Sequence, residues 1–129
     1  MNTEAAGTLF FDGTCGMCTR SRDLLLQMDR TGNVRTEPLQ SPGTGERLGI
    51  APANLLESVR WLDSSGAVYS GAEAANAALS AAIGSRIPLG VYRIPGIRSA
   101  EEAIYRWVAA NRHRFPGTTP YCESHPSAC

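Results

Sequence analysis

The chain has no lysine: all 12 of its basic residues are arginine, and 12 acidic residues balance them. Without net charge it has no overall field to draw it to nucleic acid or to an anionic membrane surface, so no nucleic-acid partner is expected. Long apolar runs are also missing. No stretch approaches the roughly 18 residues that a membrane helix needs, and residues 1–7 lack the basic start and apolar stretch of a secretory signal. These two absences make a cytoplasmic setting the expectation. Cysteine is scarce as well, with four residues in 129. In a reducing compartment a close cysteine pair is more often catalytic or metal-binding than a permanent staple.

What is present describes one ordinary folded domain. An apolar share of 43% and a charged share of 19% exclude a disordered or fibrous chain. This length suffices to bury about two-thirds of the unfolded surface around one core. The expected domain runs over residues 1–115, with residues 116–129, which hold Pro116, Gly117, Pro120 and Pro126, as an irregular tail.

Thr8-Leu9-Phe10-Phe11 reads as a short buried strand that ends at Asp12-Gly13. From Cys15 onward Met17, Leu24, Leu25 and Met28 fall at helical spacing, and Gly32 marks the stop. Residues 34–39 read as a second strand, parallel to the first across this compact crossover. Residues 41–57 suit a short irregular helical connection. Residues 58–62 and 67–70 flank the turn-rich Asp63-Ser64-Ser65-Gly66 and predict an antiparallel hairpin. An Ala-rich helix over 72–83, with Leu79 and Ile83 on one face, ends at Gly84. A short helix is expected over 88–94, broken by Pro95-Gly96. Ser99-Ala100-Glu101-Glu102 has the form of a capping box that opens a further helix, with Ile104, Trp107 and Val108 as its core stripe and Arg112, His113 and Arg114 at its end.

The chemistry concentrates at Cys15-Gly16-Met17-Cys18. Thiol–disulfide exchange needs a thiolate that attacks and a second thiol near enough to resolve the mixed disulfide. Residues i and i+3 of a helix meet that need. The first cysteine of such a pair sits at the positive end of the helix, where a thiolate is favoured. Cys15 is therefore the expected nucleophile and Cys18 the resolving thiol. Gly13 and Gly16 are expected to leave room for a partner's backbone, which makes the site accessible. Packing thiols, or half of a zinc site, are the competing uses of the pair.

Asp12 has two readings. A buried carboxylate with a raised pKa would shuttle protons to and from Cys18; alternatively the residue forms an Asx-turn that shapes the loop, and this second role is favoured. Cys122 and Cys129 have several: resolving a mixed disulfide, pairing with each other, joining Cys15, Cys18 and His125 on zinc, or standing as exposed thiols on a loose tail, the favoured use. His113 reads as a solvated residue near a helix end.

Phe10-Phe11-Asp12-Gly13-Thr14-Cys15-Gly16-Met17-Cys18 resembles the D-x-x-C-x-x-C signature of the DCC family of thiol–disulfide oxidoreductases. The likeness continues in Trp61-Leu62-Asp63 with Gly66, in residues 69–74 and in residues 105–114. It implies an α/β, thioredoxin-like fold, a four-stranded mixed sheet with flanking helices and extra C-terminal helices, with Asp12, Cys15 and Cys18 at its site. In one respect the chain departs from thioredoxins in general. They carry a cis-Pro before the third strand, facing the cysteine pair, where this chain has Glu57 and Ser58 and the nearest proline is Pro52. The arginines of residues 105–114 suit a network at the edge of the core more than a partner.

The expectation is an enzyme that exchanges disulfides through Cys15 and Cys18 with no organic cofactor and no metal. Its partners would be a disulfide-containing protein or small thiol and an unidentified electron donor. The rival readings are a non-catalytic partner-binding module that docks through residues 87–97 or uses its thiols as redox sensors, and a zinc-stabilised domain.

Overall fold

A computed structural model describes residues 6–115 and 117–129. Strand β1 (Gly7–Phe11) passes through residues 12–15 into helix α1 (Gly16–Met28), and the chain returns along β2 (Val34–Pro38). Two short helices, α2 (Thr44–Leu48) and α3 (Pro52–Leu55), precede β3 (Arg60–Asp63) and β4 (Val68–Ser70). Helices α4 (Gly71–Ile83), α5 (Ile87–Tyr92) and α6 (Ile97–Ala110) follow, then a 3-10 turn at Arg112–Arg114, α7 (Tyr121–Ser124) and a second 3-10 turn at Pro126–Ala128.

The strands form one sheet in the order β2-β1-β3-β4, with β1 parallel to β2 and antiparallel to β3, and β3 antiparallel to β4. This is the mixed, helix-flanked thioredoxin-like sheet. Its central strand, β1, delivers the chain directly to Asp12 and Cys15. Alternation along β1 sends side chains to opposite faces. Leu9 joins Val34 and Trp61 against the alanines of α4, with Leu25 and Leu26 of α1 at the margin. Phe10 points the other way, into a smaller cluster with Leu39 and Leu48, closed by Ile50 and Leu55 of the connection. Full burial of side chains such as Trp61 and Phe10 contributes roughly 2–3 kcal/mol each.

Several helical faces differ from the expected ones. The face α4 buries is Ala74, Ala77, Ala78, Ala81 and Ala82, while Leu79 and Ile83 are half-buried, because only small side chains let the helix approach the sheet this closely. On α1, Leu24 and Met28 are exposed and Leu25 and Leu26 pack inward. That helix ends at Met28, where the Asp29 carboxylate accepts the Thr31 and Gly32 N–H groups, so Gly32 follows the stop instead of making it.

The capping box does not form. Helix α6 starts two residues earlier, at Ile97, which places Ser99 inside its first turn. The two glutamates brace α4 instead: Glu101 accepts from Asn76 at 2.7 Å, and Glu102 accepts the N–H of Ala72, at the start of α4, and the hydroxyl of Tyr92. Nor is the expected stripe of α6 a core, since Ile104 and Trp107 are 62% and 61% exposed. Trp107 meets only the edge of Phe115 among the aromatic rings described. The side chain of His113 and all of Pro116 lie outside the described residues.

The tail is a further correction. Residues 117–129 are neither loose nor wholly irregular: they fold into α7 and a 3-10 turn, and Cys122 and Cys129 form a disulfide. No described helix is long and apolar enough to cross a membrane.

Candidate redox site

The turn between β1 and α1 is built on Asp12. Its Oδ1 accepts the Thr14 N–H at 3.0 Å and the Thr14 hydroxyl at 2.7 Å, an Asx-turn, while the backbone N–H of Cys15 donates to the Asp12 carbonyl. Gln40, just past β2, closes the loop from the other side. Its amide donates to Asp12 Oδ1 at 2.8 Å, and its Oε1 accepts the Gly13 N–H at 2.9 Å. Arg112, from the 3-10 turn after α6, places Nη2 3.0 Å from Asp12 Oδ2. The carboxylate is almost fully buried.

Burial alone would raise the Asp12 pKa. The Thr14 and Gln40 hydrogen bonds and the Arg112 charge outweigh it and hold the carboxyl below its ordinary value. A shuttle with a raised pKa therefore lacks its physical premise, and the turn-forming reading matches the hydrogen bonds. Arg112 is held charged in return: burial works against its charge, but Asp12 and both thiols favour it.

Cys15 is the N-cap of α1. Its backbone is extended and its Sγ accepts the Cys18 N–H at 3.2 Å, while its carbonyl accepts the N–H and the hydroxyl of Thr19. Both cysteines are free thiols. Their surroundings differ. Cys15 is only 4% exposed, whereas Cys18 is half-buried and lines a cavity of about 290 Å³ with Met17, Leu25, Val59 and Arg112. Burial, then the hydrogen bond and charge shared with Cys15, push the Cys18 thiol up to about 12; Asp12 adds to this and Arg112 opposes it.

The position where thioredoxins carry their proline forms the far wall of this cavity, through Leu56, Glu57, Ser58 and Val59. The Val59 N–H already donates to the Tyr105 hydroxyl at 2.9 Å. A substrate backbone therefore finds that donor occupied by the chain itself.

The glycines expected to admit a partner are covered by the tail. A Cβ at Gly13 would lie 2.5 Å from Sγ of Cys122, and one at Gly16 would lie 2.6 Å from the Thr118 carbonyl oxygen. The Cys122 N–H donates to the Gly13 carbonyl at 2.9 Å, the Thr118 N–H to the Gly16 carbonyl at 3.2 Å, and the Tyr121 N–H to the Thr19 hydroxyl at 3.1 Å. Tyr121 anchors this arrangement with its ring edge-on to Phe11, beneath the Arg22 guanidinium, and stacked on His125.

Asp12, Gly13, Cys15, Gly16 and Cys18 lie together in the loop and the first turn of α1, with the two glycines covered by the tail and not open to a partner. Gln40 carries no signal in the sequence, the tail only that of Cys122 and Cys129, whose pairing with each other is one of the readings and is the one observed, and Arg112 stands out only as one of several arginines for a core-edge network. Among the described residues no group of three or more His, Cys, Asp or Glu is arranged to hold a metal ion.

A helix-capping cysteine paired with a second thiol one turn on, at the end of the central strand of a thioredoxin-like sheet, defines the class of thiol redox proteins. The family model of DCC1-like thiol-disulfide oxidoreductases matches residues 9–118, and the chain belongs to that family. No curated protein and no solved structure matches it.

Proposed function

We propose that the protein is a thiol–disulfide oxidoreductase in which Cys15 attacks and Cys18 resolves. The observation that carries this reading is the inequality of the two thiols within one helical turn. Cys15 Sγ receives a backbone N–H at the head of α1, while Cys18 is held protonated, with its thiol pushed up to about 12. A nucleophile and a delayed second thiol are what ordered exchange requires.

The Cys15 thiolate attacks one sulfur of a substrate disulfide, and the departing thiolate takes up a proton. Cys18 then gives up its proton and attacks Sγ of Cys15, expelling the second substrate thiol. The substrate gains two electrons, the pair becomes a disulfide, and an external thiol donor restores it. Asp12 acts as a positioning residue: it shapes the turn that presents Cys15 and holds Arg112 beside Cys18. Substrates of this reading are a disulfide-containing protein or a small thiol compound, and its setting is cytoplasmic, where such a pair is kept reduced.

The test is steady-state reduction of insulin, with dithiothreitol as donor. Wild type turns over, Cys15→Ser does not, and Cys18→Ser accumulates a mixed disulfide on Cys15 that intact mass detects. Turnover by Cys15→Ser at the wild-type rate overturns the reading.

A further inference from the structure

Cys15 is the proposed nucleophile, yet it is almost fully buried, and what covers its loop is the segment that carries the other two cysteines. The tail lies along this loop, with backbone hydrogen bonds on both sides of Cys15: Cys122, in α7, to Gly13 and Thr118 to Gly16. The Cys122 sulfur occupies the space a Cβ on Gly13 would take, two residues before Cys15. The approach is close along its whole length. A Cβ on Gly117 would meet the Met17 nitrogen at 2.6 Å, so Gly13, Gly16 and Gly117 all lack side chains where tail and loop touch. The redox states are complementary, with a dithiol at the head of α1 and a disulfide in the tail. A disulfide in a reducing compartment is usually transient and catalytic or redox-sensing.

We infer that the Cys122–Cys129 disulfide is the resident exchange partner of the Cys15–Cys18 dithiol, so that the chain holds its own two-electron relay. The inference rests on the proposed exchange chemistry and adds a second site to it. The Cys15 thiolate attacks Sγ of Cys122, the Cys122–Cys129 bond breaks, and Cys129 leaves as a thiolate that takes up a proton. Cys18 then attacks Sγ of Cys15, Cys122 departs as a thiolate, and the proton that Cys18 gives up passes to Cys122. Two electrons have passed from the head pair to the tail pair: Cys15–Cys18 is now the disulfide, Cys122 and Cys129 are thiols, and no other reactant is consumed. The reverse transfer follows the same path. The relay makes the tail the first acceptor for Cys15, and an external disulfide exchanges with the tail pair or waits for the tail to leave.

The test is a trap. The Cys18→Ser/Cys129→Ser protein keeps only Cys15 and Cys122; it is reduced, freed of reductant and oxidised with diamide, and non-reducing peptide mapping identifies its linkages. The expected product is a monomer with Cys15 joined to Cys122. Adding Gly117→Val, which forces the tail off Gly16 and Met17, slows that linkage by about tenfold or more, since a docked sulfur has a higher effective concentration than a tethered one. Free thiols, linkage only between chains, or equal rates with and without Gly117→Val overturn the relay.

Should the double variant not fold, Cys18→Ser alone keeps the tail disulfide. Quenching it with N-ethylmaleimide is expected to yield alkylated Cys129 in chains that carry the Cys15–Cys122 link, and alkylation confined to Cys15 overturns the relay. Insulin reduction by wild type, lost in Cys15→Ser, separates the two readings. With that activity present and no link formed, only the relay falls; without it, the proposed function falls too.

Discussion

Two cysteine pairs meet at the head of α1, and they are held there by different means. Cys15 and Cys18 stand one helical turn apart, placed by a strand end, an Asx-turn and a helix start that follow one another directly in the chain. Cys122 and Cys129 belong to a segment with one short helix and a 3-10 turn; a covalent bond closes it, and backbone hydrogen bonds to Gly13 and Gly16 hold it on the loop. The first pair owes its position to local chain geometry and the second to contact across the molecule. Local geometry survives the loss of one contact. A docked segment of this size does not, because few hydrogen bonds and one anchoring ring oppose the entropy of releasing it.

The sharpest way to break the comparison is chemical. Cys15→Ser is expected to abolish disulfide turnover while leaving the fold intact, as a serine hydroxyl can still cap α1 and accept the Cys18 N–H. Far-ultraviolet circular dichroism and the insulin assay together read both halves of that statement.

Next in size is the ion pair that ties the 3-10 turn to the motif loop. Arg112→Met leaves a buried carboxylate short of its cation. A fully buried pair broken in this way costs about 3–5 kcal/mol. Here the Arg112 side chain is 27% exposed, and Thr14 and Gln40 still hold Asp12, so the expected loss is about 2 kcal/mol by urea unfolding. The pH dependence fixes the sign. The Asp12 carboxyl lies below its ordinary value in the fold, so its contribution is present above the unfolded value near pH 4 and is lost as pH falls through the lower folded one. In Arg112→Met the folded value rises toward the unfolded one, and this part of the acid sensitivity shrinks. The same substitution removes a charge that lowers the Cys18 thiol, so resolution slows and the mixed disulfide on Cys15 lives longer.

A smaller effect is expected when the tail pair is opened. Reduction of Cys122–Cys129 by dithiothreitol, in a protein whose other thiols are already reduced, frees only the end of the chain. Amide exchange at Thr118, Tyr121 and Cys122 should accelerate by about tenfold, or about 1.4 kcal/mol, while the β1 amides keep their protection. Equal acceleration in β1 would show that the tail is part of the cooperative fold, and the contrast between the two pairs would then disappear.

The same division separates what the sequence reveals from what it hides. The strand before Asp12, the helix after Cys15, the hairpin around Asp63-Ser64-Ser65-Gly66 and the Gly84 helix end are all governed by neighbours within a few residues, and all appear where patterning puts them. Glu102 departs from the capping-box expectation because that box is a local signal, blind to the longer-range partners that it and Glu101 have. No pattern around Ser99 discloses those partners, Asn76, Ala72 and Tyr92. Gly13 and Gly16 do mark a close backbone approach, but the glycines cannot say whose backbone arrives. Gln40, 28 residues from Asp12, and Cys122 became part of the site through folding alone.

The smallest predicted effect tests this division inside one helix. Ile104 and Tyr105 are adjacent on α6, and the periodicity that nominates Ile104 for the core passes over Tyr105. In the fold Ile104 is 62% exposed, whereas the Tyr105 hydroxyl reaches the Val59 N–H at the wall of the Cys18 cavity. Ile104→Ser should change stability by less than about 0.5 kcal/mol, as exposed substitutions do. Tyr105→Phe, the milder change chemically, should cost about 1 kcal/mol by leaving the Val59 donor without its acceptor. Urea unfolding of the two variants decides the order. If Ile104→Ser proved the more damaging, α6 would present to the molecule the face its periodicity indicates, and Tyr105 would not hold the cavity wall beside Cys18.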